Sequence, residues 1–306
     1  MSEFEGMFNG YKSGFVTLIG RPNAGKSTLL NAVIGKKIAI TSNTAQTTRH
    51  RFRAVKTTDD YQLIIVDTPG LHKPHDALGE ELNTSALKAL EDVDVIAMLI
   101  DSSMPVGTGD EWVANQLKSV KTPKVLVLSK SALVDEAAIR EQRAAAESLV
   151  QWDAIVTCSA LEGEGVDDFV QTVTALMPEG PQWFPADMET DQPIEVVVAE
   201  FIREKILRSF RDEIPHAIGV QTEEMHYIRK KDLYNIRAII YVEHESQKGM
   251  IIGKKGAAIK RIGTEARTDL ERILGCRVYL DLSVKVRKNW RRDANQIRRF
   301  GYGEGL

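Results

Sequence analysis

Apolar runs alternate with amphipathic stretches along residues 1–177. Continuous apolar strands separated by helices predict an α/β domain with a mostly parallel sheet. The polar, alternating stretch Arg49–Thr58 predicts an edge strand beside it. The strand-like runs are Phe15–Ile19, Leu63–Val66, Val93–Ile100, Lys124–Leu128 and Ala154–Cys158. Helical spacing of apolar residues occurs over Lys26–Ile34, Leu82–Leu90, Asp110–Leu117, Asp135–Val150 and Val166–Leu176.

The pattern changes at residues 178–193, which hold four prolines and four acidic residues. Proline disfavours both helices and central strands, so this segment predicts an extended linker. In residues 194–306 the order becomes α-β-β-α-β, which predicts a small α+β domain. Its elements are expected at Ile194–Phe210, Ala217–Ile228, Tyr234–Glu243, Ala257–Leu274 and Arg277–Lys288.

Length and composition agree with two soluble domains. The chain has 306 residues, 43% of them hydrophobic and 27% charged, which excludes collagen-like, low-complexity and wholly disordered classes. It contains no apolar run of about 18 residues and begins without the basic and apolar regions of a secretory signal. Cys158 and Cys276 lie far apart, outside any zinc-ligand spacing, and suit a reducing compartment. We therefore expect a cytoplasmic protein.

The net charge of −3 hides an asymmetry between the two parts. Residues 194–306 hold 23 Lys and Arg against 16 Asp and Glu, whereas residues 1–193 hold 17 against 27. This separation of charge favours a polyanionic partner for the C-terminal part. A solvated basic face without a partner is the alternative.

Residues 20–27 read GRPNAGKS and fit the pattern G-x-x-x-x-G-K-S. In this pattern backbone N–H groups surround a β-phosphate, the lysine reaches the β- and γ-phosphates, and the serine hydroxyl binds Mg²⁺. The motif follows a predicted strand and opens a predicted helix, as that chemistry requires. We assign phosphate binding to Gly20, Arg21, Pro22, Asn23, Ala24, Gly25, Lys26, Ser27 and Thr28.

Three weaker motifs, TAQTTR, DTPG and Cys158-Ser159-Ala160, follow in the order found in switch GTPases. The last of them comes after the final strand and could place backbone N–H groups near a purine carbonyl. Asp67 ends an apolar strand and begins DTPG, which alone could be a simple turn; here Asp67 can hold Mg²⁺ and the Gly70 N–H can contact a γ-phosphate. The loop TAQTTR (44–49) offers Thr48 as a further Mg²⁺ ligand. We predict metal ligands Ser27, Thr48 and Asp67; nucleotide contacts at Asp67, Thr68, Pro69, Gly70, Leu71, Ser129, Lys130, Ser159 and Ala160; and catalytic roles for Lys26, Asn23, Thr48 and Gly70.

A glycine loop in the basic C-terminal part is a candidate nucleic-acid site. Residues 253–256 read GKKG, a common pattern that gains weight because residues 253–299 carry 14 Lys and Arg against 5 Asp and Glu. Glycines let the backbone approach phosphates and lysines supply charge, while Trp290 could stack on a base. A basic tail that only aids solubility is the alternative. The predicted RNA-binding residues are Ile252, Gly253, Lys254, Lys255, Gly256, Lys260, Arg261, Arg287, Lys288, Arg291 and Arg292.

Together these motifs resemble the Era family of bacterial ribosome-assembly GTPases, from about Gly14 to Tyr302. The resemblance rests on GRPNAGKST, TAQTTRHR, DTPGLHKP, the Ser159-Ala160 pair, FPADMETDQP, FIREKILRSFRDEIPH and IIGKKGAAIK. It implies a P-loop GTPase domain at 1–177, a linker at 178–193 and a type II KH domain with a basic tail at 194–306. It also implies GTP or GDP with Mg²⁺, binding to the 3′ end of small-subunit ribosomal RNA, a role in 30S assembly, a monomer and, for some members, peripheral membrane association.

The chain departs from the expected GTPase pattern at two places. Leu71 stands where many GTPases have the glutamine that orients the attacking water, so we expect slow hydrolysis. The resemblance implies that Asn23 helps to bind K⁺; a purely structural role for Asn23 is the alternative. Where the family has N-K-x-D, this chain has Ser129–Ala132, SKSA, so the guanine-reading aspartate is replaced by Ala132. This replacement keeps open a second interpretation, an RNA-binding scaffold whose nucleotide domain is degenerate.

Overall fold

A computed structural model describes residues 10–42, 44, 47–74 and 76–302. Ala45 and Gln46 of the TAQTTR motif lie outside the described residues. The chain divides into two compact units. The first comprises Met1–Ala39, Thr48–His75 and Gly79–Asp191; the second comprises Ile40–Thr47, Asp76–Leu78 and Gln192–Leu306.

The first unit is built on a six-stranded sheet in the order β2-β3-β1-β4-β5-β6. Only β2 is antiparallel to its neighbour, and it forms an edge of the sheet. The mostly parallel sheet and the polar edge strand are thus confirmed. The strands are β1 (Lys12–Gly20), β2 (Phe52–Thr57), β3 (Tyr61–Asp67), β4 (Val95–Asp101), β5 (Lys124–Ser129) and β6 (Ala154–Thr157).

Four helices connect these strands, and a fifth follows β6. Because the carboxyl ends of parallel strands meet at one edge, the loops after β1, β3, β4, β5 and β6 gather the predicted motifs there. The interior of the sheet is apolar, as the continuous runs predict; Leu18, Ile64, Met98 and Leu126 are fully buried. The helices are α1 (Lys26–Ile34), α2 (Ala77–Lys88), α3 (Thr108–Leu117), α4 (Glu136–Glu147) and α5 (Val166–Leu176).

The proline-rich segment 178–191 contains no helix or regular strand, but it is fixed to the first unit. Its backbone bonds to Tyr11 and to Val55. Gln62, fully buried, accepts the N–H groups of Trp183 and Phe184 through its side-chain oxygen, at 2.7 and 3.0 Å. The segment therefore has no regular secondary structure, as its proline content predicts; it turns once at residues 185–188 and is held to the first unit at several points.

The second unit contains a three-stranded sheet in the order β7-β8-β9, in which β7 and β8 are antiparallel and β8 and β9 are parallel. Its strands are β7 (Gly219–Ile228), β8 (Leu233–Val242) and β9 (Arg277–Val286). Its helices are α6 (Ile194–Ser209), α7 (Ile214–Ala217), α8 (Glu245–Ile252), α9 (Ala257–Leu274) and α10 (Ala294–Arg299). The sequence pattern predicted α6 and α9 but missed three short helices. Of the described helices, none has the length and apolar composition to cross a membrane.

Candidate nucleotide and RNA sites

The phosphate loop joins β1 to α1 through backbone conformations that favour glycine. Gly20 has φ +147° and a side chain there would meet the Leu99 carbonyl at 2.5 Å. Gly25 has φ +96° and caps α1 without a side-chain hydrogen bond, so the first N–H groups of α1 stay available for an anion. Asn23 also adopts a positive φ, 65°. The loop thus forms a backbone cradle at a helix N-terminus.

Lys26 lies inside this cradle, only 6% exposed. Its ammonium donates to the carbonyls of Gly20 and Arg21, at 3.3 and 3.0 Å. Burial lowers the pKa of Lys26 to about 8, while the negative charge of Asp67 acts in the opposite direction. A buried cation among backbone carbonyls and helix N–H groups is suited to polyphosphate, whose charge would restore full protonation.

Ser27, Thr48 and Asp67 meet beside the cradle. The Ser27 hydroxyl lies 2.6 Å from Asp67 Oδ2 and 3.0 Å from the Thr48 hydroxyl, which is 3.3 Å from the same carboxylate oxygen. Asp67 is fully buried; burial raises its pKa and Lys26 opposes that shift. Its Oδ1 has no hydrogen-bond partner among the described residues. Two hydroxyls and a carboxylate with a spare oxygen are the hard ligands that Mg²⁺ prefers, so the set fits this ion.

The loop after β3 lies directly against the phosphate loop. A side chain at Gly70 would meet the backbone of Pro22 at 2.7 Å, so only glycine fits. Thr68 donates from its hydroxyl to the Leu18 carbonyl, and the Leu71 N–H donates to the Gly20 carbonyl. The Leu71 side chain is 1% exposed and packs into the apolar core. Its predicted nucleotide contact is therefore restricted to backbone atoms.

The loop after β5 carries the departure from N-K-x-D. Ser129 donates from its hydroxyl to the carbonyls of Ala24 and Ile100, at 2.7 and 3.0 Å, and so ties β5 to the phosphate loop. Lys130 has φ 58° and its ammonium contacts Asp101 Oδ2 at 2.5 Å. Burial would raise the pKa of Asp101, but Lys130 and Ser103 outweigh it and lower that pKa. Ala132 lies in a short turn over Ser131–Leu133.

One ion pair of the phosphate loop could not be predicted from the sequence. Arg21 pairs with Asp110 of α3 at 3.1 Å, and a side chain at Gly109 would collide with the Arg21 chain at 2.9 Å. The guanidinium is therefore held against α3. Since the two residues are far apart in sequence, spacing alone gives no hint of this contact.

In the second unit, the GKKG loop separates α8 from α9 and has the backbone that its glycines predict. Gly253 and Gly256 have φ of +72° and +78°, and a side chain at Gly253 would meet Ala258 at 2.7 Å. Lys254 and Lys255 are exposed between them. The first turns of α9 add Lys260 and Arg261, also exposed, while Ile252 ends α8. Backbone, helix N-terminus and cations thus lie together.

The C-terminal residues only partly match the predicted RNA-binding surface. Trp290 is fully buried, donates to the Ala217 carbonyl at 2.9 Å and packs on Phe300, so the expectation that it stacks on a base is wrong. Arg291 binds Glu243 at 2.8 Å and Asp76 at 3.4 Å, which occupies its guanidinium. Arg287 lies over the ring of Tyr241 at 4.6 Å. Of the four cationic residues predicted to bind RNA in this part of the chain, Lys288 and Arg292 are exposed.

Comparison with known proteins gives consistent matches in both units. Residues 15–130 match the family described as 50S ribosome-binding GTPase, and residues 213–291 match the KH domain. GTPase Era of Alkaliphilus metalliredigens (strain QYMF) is 44% identical over 292 residues, which cover 95% of this chain and 99% of that protein.

Two crystal structures are similar over nearly the whole chain. One is Era in complex with MgGDPNP and nucleotides 1506–1542 of 16S ribosomal RNA, with a TM-score of 0.92 and 38% identity over 96% of this chain and 99% of the other. The second is a variant of Aquifex aeolicus Era bound to GDP and aluminium fluoride. Its TM-score is 0.92, and it is 38% identical over 95% of this chain and 99% of the other.

Proposed function

Because the chain belongs to the Era family of GTPases, we propose that it binds and hydrolyses GTP, binds small-subunit (16S-type) ribosomal RNA and assists assembly of the 30S subunit. In this proposal residues 1–177 bind and hydrolyse the nucleotide, residues 178–193 link the domains and residues 194–306 bind the 3′ end of the RNA. The observation that carries the proposal is the meeting of Ser27, Thr48 and Asp67 beside the buried Lys26.

Each group has a defined part in the proposed hydrolysis. The N-terminus of α1 and Lys26 bind the β- and γ-phosphates. Ser27, Thr48 and Asp67 hold Mg²⁺, which supplies positive charge to the phosphate oxygens. The N–H of Gly70 contacts the γ-phosphate. Since Leu71 is buried and apolar, no side chain at that position orients the water, and the chain alone hydrolyses GTP slowly.

The transition state carries negative charge on the phosphate oxygens that further positive charge would stabilise, and a monovalent cation could supply it. Asn23 has a positive φ within the phosphate loop. We propose that its side chain would contribute an oxygen ligand to K⁺. The cation would supply the charge stabilisation that other GTPases take from an arginine. We further propose that the chain acts as a monomer in the cytoplasm and contacts the cytosolic face of the membrane peripherally, as the resemblance implies.

Steady-state phosphate release with GTP and Mg²⁺ tests the enzymatic part. Lys26→Ala should lower GTP affinity or turnover at least about tenfold, because one hydrogen bond to a charged group is worth roughly 1.5–3 kcal/mol. Lys121→Ala, an exposed lysine before β5, is the matched control and should behave as wild type. Phosphate release that is unaffected by Lys26→Ala would contradict the proposal and favour the RNA-binding scaffold.

A further inference from the structure

The base-recognition loop carries no carboxylate at position 132, where one would pair with the guanine edge. Guanine presents two donors there, its ring N1–H and its 2-amino group, and a carboxylate pairs with both. Ala132, at the position that carries this carboxylate in N-K-x-D, has only a methyl side chain. The short turn over Ser131–Leu133 keeps Ala132 in the loop after β5, so the lost group is a side chain and the loop remains.

Two carboxylates near this loop, Asp135 and Asp101, are engaged in other contacts. Asp135 is the N-cap of α4 and accepts the Ala138 N–H at 2.8 Å. Asp101 binds Lys130 at 2.5 Å and also accepts the hydroxyl and N–H of Ser103, at 2.6 and 3.0 Å. Moving either carboxylate to a base would break a helix cap or an ion pair. Neither therefore replaces the missing aspartate.

The groups that remain would contact a purine without reading its 2-position. Leu133 and Leu161 are 67% and 83% exposed, and they lie in the loops after the adjacent strands β5 and β6. Large apolar side chains at this edge can cover the faces of any purine. The Ser159 N–H is bonded to the Glu164 carbonyl at 2.9 Å. Within the described residues the Ala160 N–H has no acceptor, which makes it the candidate donor to a 6-oxo group.

We propose that this site recognises 6-oxopurine nucleotides as a class and does not distinguish guanine from hypoxanthine. The inference rests on the proposed function and concerns its substrate range. GTP and ITP share the 6-oxo group and differ only in the 2-amino group, for which Ala132 offers no acceptor. Adenine has a 6-amino donor instead, which would face the Ala160 N–H, so adenine nucleotides are disfavoured.

The test is competition of GDP, IDP and ADP against a fluorescent GDP analogue, with the full chain and Mg²⁺. In the wild type we expect GDP and IDP to bind within about threefold of each other and ADP to bind at least about tenfold more weakly. Ala132→Asp should make GDP at least about tenfold tighter than IDP, because a hydrogen bond to a charged group is worth about 10- to 150-fold in affinity.

Ser131→Asp is the matched control, since it adds the same charge one position earlier. We expect it to leave the GDP to IDP ratio as in the wild type; an equal gain in both variants would overturn the assignment to position 132. A wild type that already prefers GDP over IDP by tenfold or more would overturn the proposal without any variant. Failure of all nucleotides to compete would instead contradict the proposed function, so the two outcomes are distinct.

Discussion

The two lysines of the GKKG loop offer a quantitative test of where RNA binds. Lys254 and Lys255 are exposed and have no ion-pair partner among the described residues. Lys254→Gln with Lys255→Gln should remove two phosphate contacts from the interface. Since each neutralised phosphate contributes about 0.7 to the salt exponent for single strands, the exponent should fall by about 1.4. The affinity lost at 50 mM salt should then exceed that lost at 200 mM by about sevenfold.

The same unit supplies a matched control at the opposite end of α9. Lys230 and Lys231, in the turn between β7 and β8, are also exposed. That turn adjoins the start of β9, where the Arg277 N–H donates to the Asp232 carbonyl. The 18 residues of α9 place the two lysine pairs about 27 Å apart along the helix, at about 1.5 Å per residue. Lys230→Gln with Lys231→Gln should leave the salt exponent unchanged.

Fluorescence anisotropy with a labelled single-stranded oligonucleotide from the 3′ end of small-subunit ribosomal RNA would measure both exponents. The protein should be saturated with a non-hydrolysable GTP analogue so that its nucleotide state is constant. An unchanged exponent in the GKKG variant, with an intact circular dichroism spectrum, would refute the assignment of this loop. An equal fall in the turn variant would show a diffuse electrostatic surface in place of a defined site.

Two further predictions concern the dependence of turnover on K⁺ and the reactivity of the two cysteines. Replacement of K⁺ by Na⁺ should lower GTP turnover in the wild type and have less effect in Asn23→Ala, because Leu71 leaves the transition-state charge uncompensated; equal turnover in both salts would contradict it. Cys158 is 1% exposed and burial raises its pKa to about 11, so a thiol reagent at pH 8 should modify the partly exposed Cys276 and leave Cys158 until the protein unfolds. Rapid modification of the one remaining thiol in native Cys276→Ser would contradict this prediction.

The sequence predicts elements whose pattern is set by local periodicity. The bounds of α1, α5 and α9 coincide with the predicted ones because apolar spacing and a glycine in the αL conformation at one end or at both ends define them locally. The sequence pattern did not predict helix α8, because the helix is short and contains Gly249. That Ser27, Thr48 and Asp67 lie together was also predictable, since the order of their motifs along the chain follows from the chemistry expected of them.

Side-chain burial in the C-terminal residues depends on partners far away in the sequence. Trp290 and Arg291 lie in a run rich in cations, which from sequence alone favours an exposed nucleic-acid surface. In the folded unit, Trp290 fills a cluster with Phe300 and Tyr302, and Arg291 pairs with Glu243. Only the tertiary structure brings these partners together. Aromatic and cationic residues near a strand are therefore weak evidence of an RNA contact until their burial is known.

A buried ionic cluster joins α6 to α9, and we expect its cation to be essential for the stability of the second unit. Lys205, 5% exposed, lies between Glu204 of its own helix, at 2.9 Å, and Asp269 of α9. Burial would lower the pKa of Lys205, but these two carboxylates raise it, so the ammonium stays charged. Lys205→Met keeps the length of the side chain but removes the charge between two carboxylates. Loss of one partner from a buried pair costs about 3–5 kcal/mol.

Hydrogen exchange of the α9 amides, followed by mass spectrometry, would measure the stability lost in Lys205→Met as a smaller free energy of opening of α9. Because the pKa of Lys205 is raised in the folded protein, its stabilising effect is complete below the ordinary lysine pKa and is lost only as the pH rises through the folded-state pKa. Protection of the wild-type α9 amides from exchange should therefore be constant from pH 6 to 9. Lys205→Met with Asp269→Leu is the control, because it also removes one of the two carboxylates that lose the lysine and should recover part of the lost stability. If Lys205→Met alone leaves α9 protected as in the wild type, the cluster contributes no stability and the two helices are held by their apolar contacts.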